Sequence, residues 1–324
     1  MTTRDIVFTG QGRWAALLAE GLRDHAGLQV TVAPLDRVTD ALRSSVWLAL
    51  ARANVVVRIG FRPGARTWRG RLADAALRAA RQLHPGQKTA YYWIGTDVQG
   101  LTRDAEADVW PRWLQRELAA ARHGAVAQRL VDELAQVGVD ADLLPHPPMN
   151  RATGTGVAPL PAQFSVLTYI PDARPEFYGA PAVFEAARQL PDVHFRVLGG
   201  TGSGVTPSNI EFLGWQEDPA RWFVESSCLV RMVEHDGCGG TVLEALSYGR
   251  PVIYSYDQEG VIFVPFGDTD ALVKELRALC ERHVTGELLA NEVIAASTRE
   301  RYSPERCYPR LAEWLRSAAA EGAA

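Results

Sequence analysis

Cysteine is scarce in this sequence and long apolar runs are missing. Only four cysteines occur among 324 residues, at Cys228, Cys238, Cys280 and Cys307. Their spacing matches neither a disulfide framework nor a zinc site, and it suits a reducing compartment. No apolar run approaches the ~20 residues that a membrane helix needs. The opening MTTRDIVFTG lacks the apolar core of a signal peptide and enters a strand at once. A cytoplasmic location is expected, with peripheral contact at a membrane face left open. A dinucleotide fingerprint is also incomplete. Gly10-Gln11-Gly12 is followed by Ala15 where a third glycine belongs, and no acid ends the next strand, QVTVAPL. That argues against a dehydrogenase. His25, His84, His123, His146, His194 and His283 are scattered and read as structural. Asp140–Asp142 reads as a strand start and Asp268–Asp270 as a helix cap, so neither is expected to hold a metal.

Charge is nearly balanced, with a net value of −4. Nucleic acid is therefore not an expected partner. The balance is uneven along the chain. Residues 1–150 hold 19 Arg and Lys against 15 Asp and Glu, which is +4 and leaves −8 for the remainder. The basic excess concentrates in RIGFRPGARTWRGR, Arg58–Arg71, with five arginines and no acid. This stretch is either a solvated face or a surface for an anionic acceptor or an acidic membrane. Arg13 and Arg62 are the acceptor-side candidates. Trp68, Trp93, Trp110 and Trp113 read as core, with stacking on a sugar or lipid as the alternative.

What the sequence has in abundance is alternation. IVFTG, LQVTVA, NVVVRIG, KTAYYWIG and GAVAQ read as strands in the first half. Helical stretches separate them, around Val38–Ala51, Trp68–Leu83, Asp108–Arg122 and LVDELAQVG. Residues 146–162 are rich in proline and glycine and lack periodicity, as a linker does. The alternation then restarts with FSVLTYI, VHFRVLGG, NIEFLGW, CLVRMV, PVIYSY and VIFVPF. Asp268 caps a helix through Cys280, and Ser303-Pro304 opens a final amphipathic helix. Strands separated by long helical segments mean parallel sheets. The fold class expected is α/β, with two doubly wound Rossmann-like domains facing a cleft. The boundaries are 1–148 for the first domain, 149–162 for the linker and 163–302 for the second domain. Residues 303–324 form a helix that packs back toward the first domain.

The densest chemical signal is EHDGCGGTVLEALSYGRPVIYS, residues 234–255. A strand, a glycine-rich turn and a helix starting near Gly239–Thr241 form an anion site, because the first helical N–H groups lack partners. Asp236 and Glu244 flank it. A phosphate would repel either carboxylate, but both can accept hydrogen bonds from hydroxyl groups. A phosphate with hydroxyl-bearing groups on both sides describes a nucleotide sugar.

The run D-G-C-G-G-T-V-L-E-A-L-S-Y-G-R-P-V, Asp236–Val252, resembles the signature of the family 4-like retaining glycosyltransferases of the GT-B fold. The upstream GWQEDPARWFVESSCLV and the downstream GVIFVPFGDTDALVKEL are similar to that family's flanking motifs. The first half matches more loosely, through FTGQGRW and WIGTDV. The resemblance implies retaining, metal-independent transfer of a sugar from a nucleoside-diphosphate sugar to an acceptor hydroxyl, without a cofactor. It implies that Gly237, Cys238, Gly239, Gly240 and Thr241 meet the distal phosphate and sugar. Asp236 would hold sugar hydroxyls and Glu244 ribose hydroxyls. Gly214 and Trp215 would lie beside the base, and Gly10 and Gly12 would face the diphosphate. Three departures stand out, the first being Asp236 in place of the family's leading Glu, which keeps the charge and shortens the reach by one methylene. Ile94 occupies a place where a sugar-contacting His is usual, so Asp97 or His235 takes over. Tyr178 stands where a phosphate-binding Lys is usual, so Arg174, the only nearby cation, is the candidate for the phosphate, with a plain surface loop residue as the alternative. The last two departures motivate an alternative, in which the protein binds or epimerises a sugar nucleotide without transferring it.

Overall fold

The computed structural model describes residues 6–320 except 36–42, 61, 65–67, 108, 151, 153–155 and 203–205. The side chains of 68, 69, 72 and 73 also lie outside the description. The chain divides into two compact units. One is Met1–His146 with Ser303–Ala324, and the other is Pro147–Tyr302.

The first unit alternates β1 (Ile6–Gly10), α1 (Gly12–Ala26), β2 (Thr31–Val32), α2 (Ser44–Arg52), β3 (Val55–Ile59) and α3 (Trp68–Leu83). It continues with β4 (Lys88–Trp93), α4 (Thr96–Glu106), α5 (Arg112–Ala120), β5 (Arg122–Ala125), α6 (Gln128–Gln136) and β6 (Asp142–Leu143). The strands pair in parallel in the order β2-β1-β3-β4-β5-β6. Strands β1 and β3 are buried along their whole length, as expected of parallel strands covered by helices on both faces.

The second unit holds β7 (Ser165–Tyr169), α7 (Ala180–Gln189), β8 (His194–Leu198), β9 (Ile210–Gly214), α8 (Ala220–Val224) and β10 (Cys228–Arg231). Then come α9 (Gly240–Ser247), β11 (Val252–Tyr254), β12 (Ile262–Phe263), α10 (Thr269–Val284) and α11 (Glu292–Arg301). All pairs are parallel, in the order β12-β11-β10-β7-β8-β9. Successive strand residues feed opposite cores. Val166, Val197 and Val230 join one cluster, while Leu167, Leu198 and Leu229 join the other. That alternation is the strand period of two acting on a sheet buried on both sides.

The last helix, α12 (Pro304–Ala320), belongs to the first unit. Tyr308 fills the space left by the missing side chain of Gly21 on α1, where a Cβ would lie 1.9 Å from its ring. Trp314 Nε1 donates to Asp142 Oδ2 at 2.8 Å, and Arg122 Nη1 donates to Ser317 Oγ at 2.6 Å.

Several local expectations need correction. Helix α4 forms over a stretch for which no helix is expected, because TDVQGLTRDAE is polar with a central glycine. Helix α11 is likewise unexpected, since EVIAASTRER has almost no apolar face. Helix α5 begins only after Pro111 rather than at Asp108, a residue outside the description, and ends before Arg122. Strand β5 uses RHGA rather than GAVAQ. Part of the helix expected over Val38–Ala51, residues 38–42, lies outside the described residues.

Candidate functional site

In a doubly wound sheet, ligands bind beyond the strand carboxyl ends, where the strand order reverses. In the second unit that point falls between β7 and β10. The segment after β7 carries Arg174 and Tyr178, and the segment after β10 carries Asp236–Thr241. Two segments 60 residues apart in sequence are therefore neighbours for a topological reason.

Gly179 brings them into contact. Its φ is +71°, and a Cβ there would lie 2.4 Å from Met232 Cβ. Only glycine allows α7 to start this close to the end of β10. The loop after β10 is held from below. Ser255 Oγ accepts from Val233 N at 2.9 Å and donates to Val233 O at 2.7 Å, and Tyr256 OH donates to Glu234 O at 2.6 Å. Gly239, with φ 55° and ψ 64°, is the N-cap of α9, so Gly240 and Thr241 stand in its first turn. Thr241 Oγ1 is buried without a hydrogen-bond partner among the described residues. Cys238 and His235 are buried in the same loop.

Both acids of the motif are engaged. Asp236 Oδ1 accepts from Gly237 N at 2.9 Å, and its Oδ2 accepts from Arg231 Nε at 3.0 Å. Glu244 is only 4% exposed, and its Oε1 accepts from both the N–H and the Nδ2 of Asn150, at 2.9 and 3.1 Å. Burial pushes the Glu244 carboxyl up to about 7, against the pull of the Asn150 bonds and the Arg231 charge. Arg174 lies exposed over the Phe177 ring, 4.3 Å from its centroid, and 6.0 Å from that of Tyr178. Gly214 ends β9 with φ +65°, and Trp215 beside it is 59% exposed. They share the carboxyl edge of the sheet but stand three strand spacings from β10, about 14 Å.

The expectation that Arg174 is the only nearby cation is corrected. Arg231, at the end of β10, lies against Asp236, with its guanidinium 4.9 Å from the Tyr178 ring centroid and 5.4 Å from that of Tyr169. Its position in the apolar run CLVRMV hid it, because an Arg in a buried strand reads as an exception rather than a ligand.

In the first unit the order reverses between β1 and β3. Gly10 ends β1 there with φ +103°, and a Cβ would meet Ile59 O at 2.3 Å. Gly12 opens α1, and Arg13 is exposed in its first turn. Arg62 forms an ion pair with Asp104. The arginine-rich stretch is not one surface. Arg58 is 1% exposed inside β3, bonded to Asp74 Oδ1 at 2.5 Å and to Glu117 Oε1 and Tyr91 OH at 3.1 and 3.0 Å. Arg66 lies outside the described residues, as does the side chain of Arg69. Asp97 is buried, and its carboxylate accepts from the N–H groups of Ile94, Gly95 and Val98 at 2.7–3.3 Å. Burial raises its pKa against those bonds. Trp93 is core, stacked on Tyr91 and His123. Trp113 packs under Arg78, and Trp110 Nε1 donates to Leu101 O. The Trp68 side chain lies outside the description.

Among the described residues, no group of three or more His, Cys, Asp and Glu side chains could hold a metal ion. No described helix is long and apolar enough to cross a membrane.

Residues 178–282 match the protein family Glycosyl transferases group 1. Among solved structures, sucrose-phosphate synthase from Thermosynechococcus elongatus is similar with a TM-score of 0.69 at 14% identity, over 98% of this chain and 99% of that one. The chain has the GT-B fold, and its residues 178–282 are similar to the group 1 glycosyltransferases. Anabaena Alr3699/HepE, solved with UDP and glucose, is a second structure of similar fold. Its TM-score is 0.65 at 12% identity, over 97% of this chain and 99% of that one. TarM has a TM-score of 0.57 at 12% identity over 83% of this chain. The present GT-B chain spans 55% of TarM's length. No curated protein matches the sequence.

Proposed function

We propose that this GT-B chain transfers a sugar, with retention and without a metal, from a nucleoside-diphosphate sugar to an acceptor hydroxyl. One observation carries the reading. Asp236 and Glu244 stand before and after the glycine turn at the start of α9, at the strand-order reversal of a parallel sheet. Helical N–H groups there suit a phosphate, and each carboxylate suits a hydroxyl-bearing group. The structure of Anabaena HepE with UDP and glucose supports a donor of that class. Gly237, Cys238, Gly239, Gly240 and Thr241 would take the phosphate and sugar, Glu244 the ribose, and Trp215 with Gly214 the base. Gly10 and Gly12 would serve the diphosphate from the first unit. Asp236 and His235 would act at the sugar, and Arg13 and Arg62 would face the acceptor.

Stabilising the leaving diphosphate is the main catalytic task, and losing one such preorganised donor costs about 3–4 kcal/mol of barrier. Asp236→Ala and Glu244→Ala are expected to abolish transfer from a panel of nucleotide sugars while leaving a cooperative thermal melt. Unchanged turnover in both variants would sink the reading.

One observation favours the alternative of binding or epimerising without transfer. Asp97, a substitute for the histidine absent at Ile94, has its carboxylate engaged by backbone N–H groups. Diphosphate release only in the presence of acceptor supports transfer. Sugar isomerisation without acceptor supports the alternative.

A further inference from the structure

Arg231 is a cation that strand logic does not explain. It ends a strand whose four residues are all buried, and it is itself 8% exposed. Nε and Nη2 lie 3.0 Å from a single oxygen, Asp236 Oδ2. Nη1, which carries two N–H groups, is buried and has no hydrogen-bond partner among the described residues. Folded proteins leave few such donors unsatisfied, so each one needs a reason.

The surroundings supply one. Arg231 is paired with Asp236, and its positive charge also lowers the pKa of Glu244. The loop that Arg231 holds through Asp236 leads into Gly239, the N-cap of α9, where a Cβ would lie 3.0 Å from the Tyr254 hydroxyl. The first turn of that helix holds the second orphan, Thr241 Oγ1. A helix N-terminus, a buried guanidinium nitrogen and a buried hydroxyl, the last two unpartnered among the described residues, are all groups that an oxyanion would satisfy. A guanidinium suits phosphoryl oxygens because its N–H groups are planar and permanently charged. The Tyr169 and Tyr178 rings, with centroids 5.4 and 4.9 Å from the guanidinium carbon, fix its plane.

We propose that Arg231, through Nη1 and together with Thr241 Oγ1, binds a phosphoryl group of the donor's diphosphate. The assignment rests on the donor reading above and adds to it the cation that neutralises the phosphate. Asp236 then has two partners, Arg231 on one oxygen and the sugar on the remaining lone pairs. The two ends of the leaving bond are thereby tied together through one ion pair.

Isothermal titration of the full chain with uridine, guanosine and adenosine diphosphates, and with the matching nucleosides, tests this. Arg231→Met is expected to raise the diphosphate Kd by about 10- to 100-fold and to leave nucleoside binding unchanged. It should also flatten the salt dependence. Tyr178→Lys in the Arg231→Met background places an ammonium where the guanidinium stood, and it is expected to recover most of the lost affinity. Thr241→Val removes the second group with little change of shape and serves if Arg231→Met does not fold. It is expected to weaken diphosphate binding alone. Equal diphosphate affinity in the variants and wild type overturns the Arg231 assignment while the donor reading stands. A wild type that binds none of the three diphosphates overturns both.

Discussion

Asn150 donates two hydrogen bonds to one oxygen of Glu244, from its backbone N–H at 2.9 Å and its Nδ2 at 3.1 Å. A residue from the proline-rich connecting segment thus sits on the acid that the motif assigns to a ribose. Ala152 N donates to Ser247 Oγ one turn further along the same helix, and that hydroxyl donates to Glu244 O. The segment is fastened to the motif helix at both points, over the buried Glu244 and Ser247.

Glu244 should make stability depend on pH. Its carboxyl is raised from 4.5 to about 7, so folding favours the protonated form. That contribution is complete below pH 4.5 and is lost as pH rises through about 7. Relative to Glu244→Gln, the wild type should lose on the order of 3 kcal/mol over this window. Urea titrations of both proteins across the window measure it. Parallel curves would show that Glu244 does not titrate there.

Asn150→Ala removes a bond that holds the Glu244 carboxylate charged. The side-chain bond pulls the carboxyl down, so its loss should move the midpoint of the stability titration further up. A downward shift would contradict the described contact.

Arg58 anchors the first unit. It bonds two carboxylates and the Tyr91 hydroxyl inside the sheet, and Asp74 Oδ2 also accepts from Gly64 N at 2.9 Å. Arg58→Ala leaves two acids buried without their cation and should cost about 3–5 kcal/mol. Lysine should not rescue it, because one ammonium cannot reproduce the forked contacts. Equilibrium denaturation checks both statements.

Arg250 should be equally intolerant. It is 1% exposed and donates to the carbonyls of Phe223, Val224, Ala158 and Pro159 at 2.9–3.2 Å. Arg250→Met keeps the bulk and strands four acceptors, at a cost of at least about 3 kcal/mol. A loss below ~1 kcal/mol would mean that water replaces the guanidinium.

Gly179→Ala should join a stability loss to a binding loss. A methyl group in a left-handed conformation, 2.4 Å from Met232 Cβ, forces the start of α7 off β10. The strain is worth about 1–3 kcal/mol. Tyr178 would move away from Arg231, so affinity for a nucleoside diphosphate should fall as well. Thermal melts read the first effect and calorimetric titration the second.

The alternation of strand and helix was legible in the residues because periodicity is a local property. Buried parallel strands must be apolar runs, and their crossover helices must be amphipathic. The same holds for the Asp268 cap, whose Oδ1 accepts from Ala271 N, and for the turn at Gly239. Local reading failed where an element has no apolar stripe, as in α4 and α11. It failed more instructively for charges. Arg58 and Arg62 look like members of one basic surface, yet one closes a buried network and the other pairs with Asp104. Arg231 looks like an oddity in a strand, yet it lies against Asp236 and beside Tyr178. The order of residues determined which groups sit at a glycine turn before a helix. That Arg58 meets Asp74 and Glu117, that Arg62 meets Asp104, and that the β10-β7 pairing sets Arg231 beside Tyr178 was decided by the tertiary structure alone, because these partners are distant in the chain.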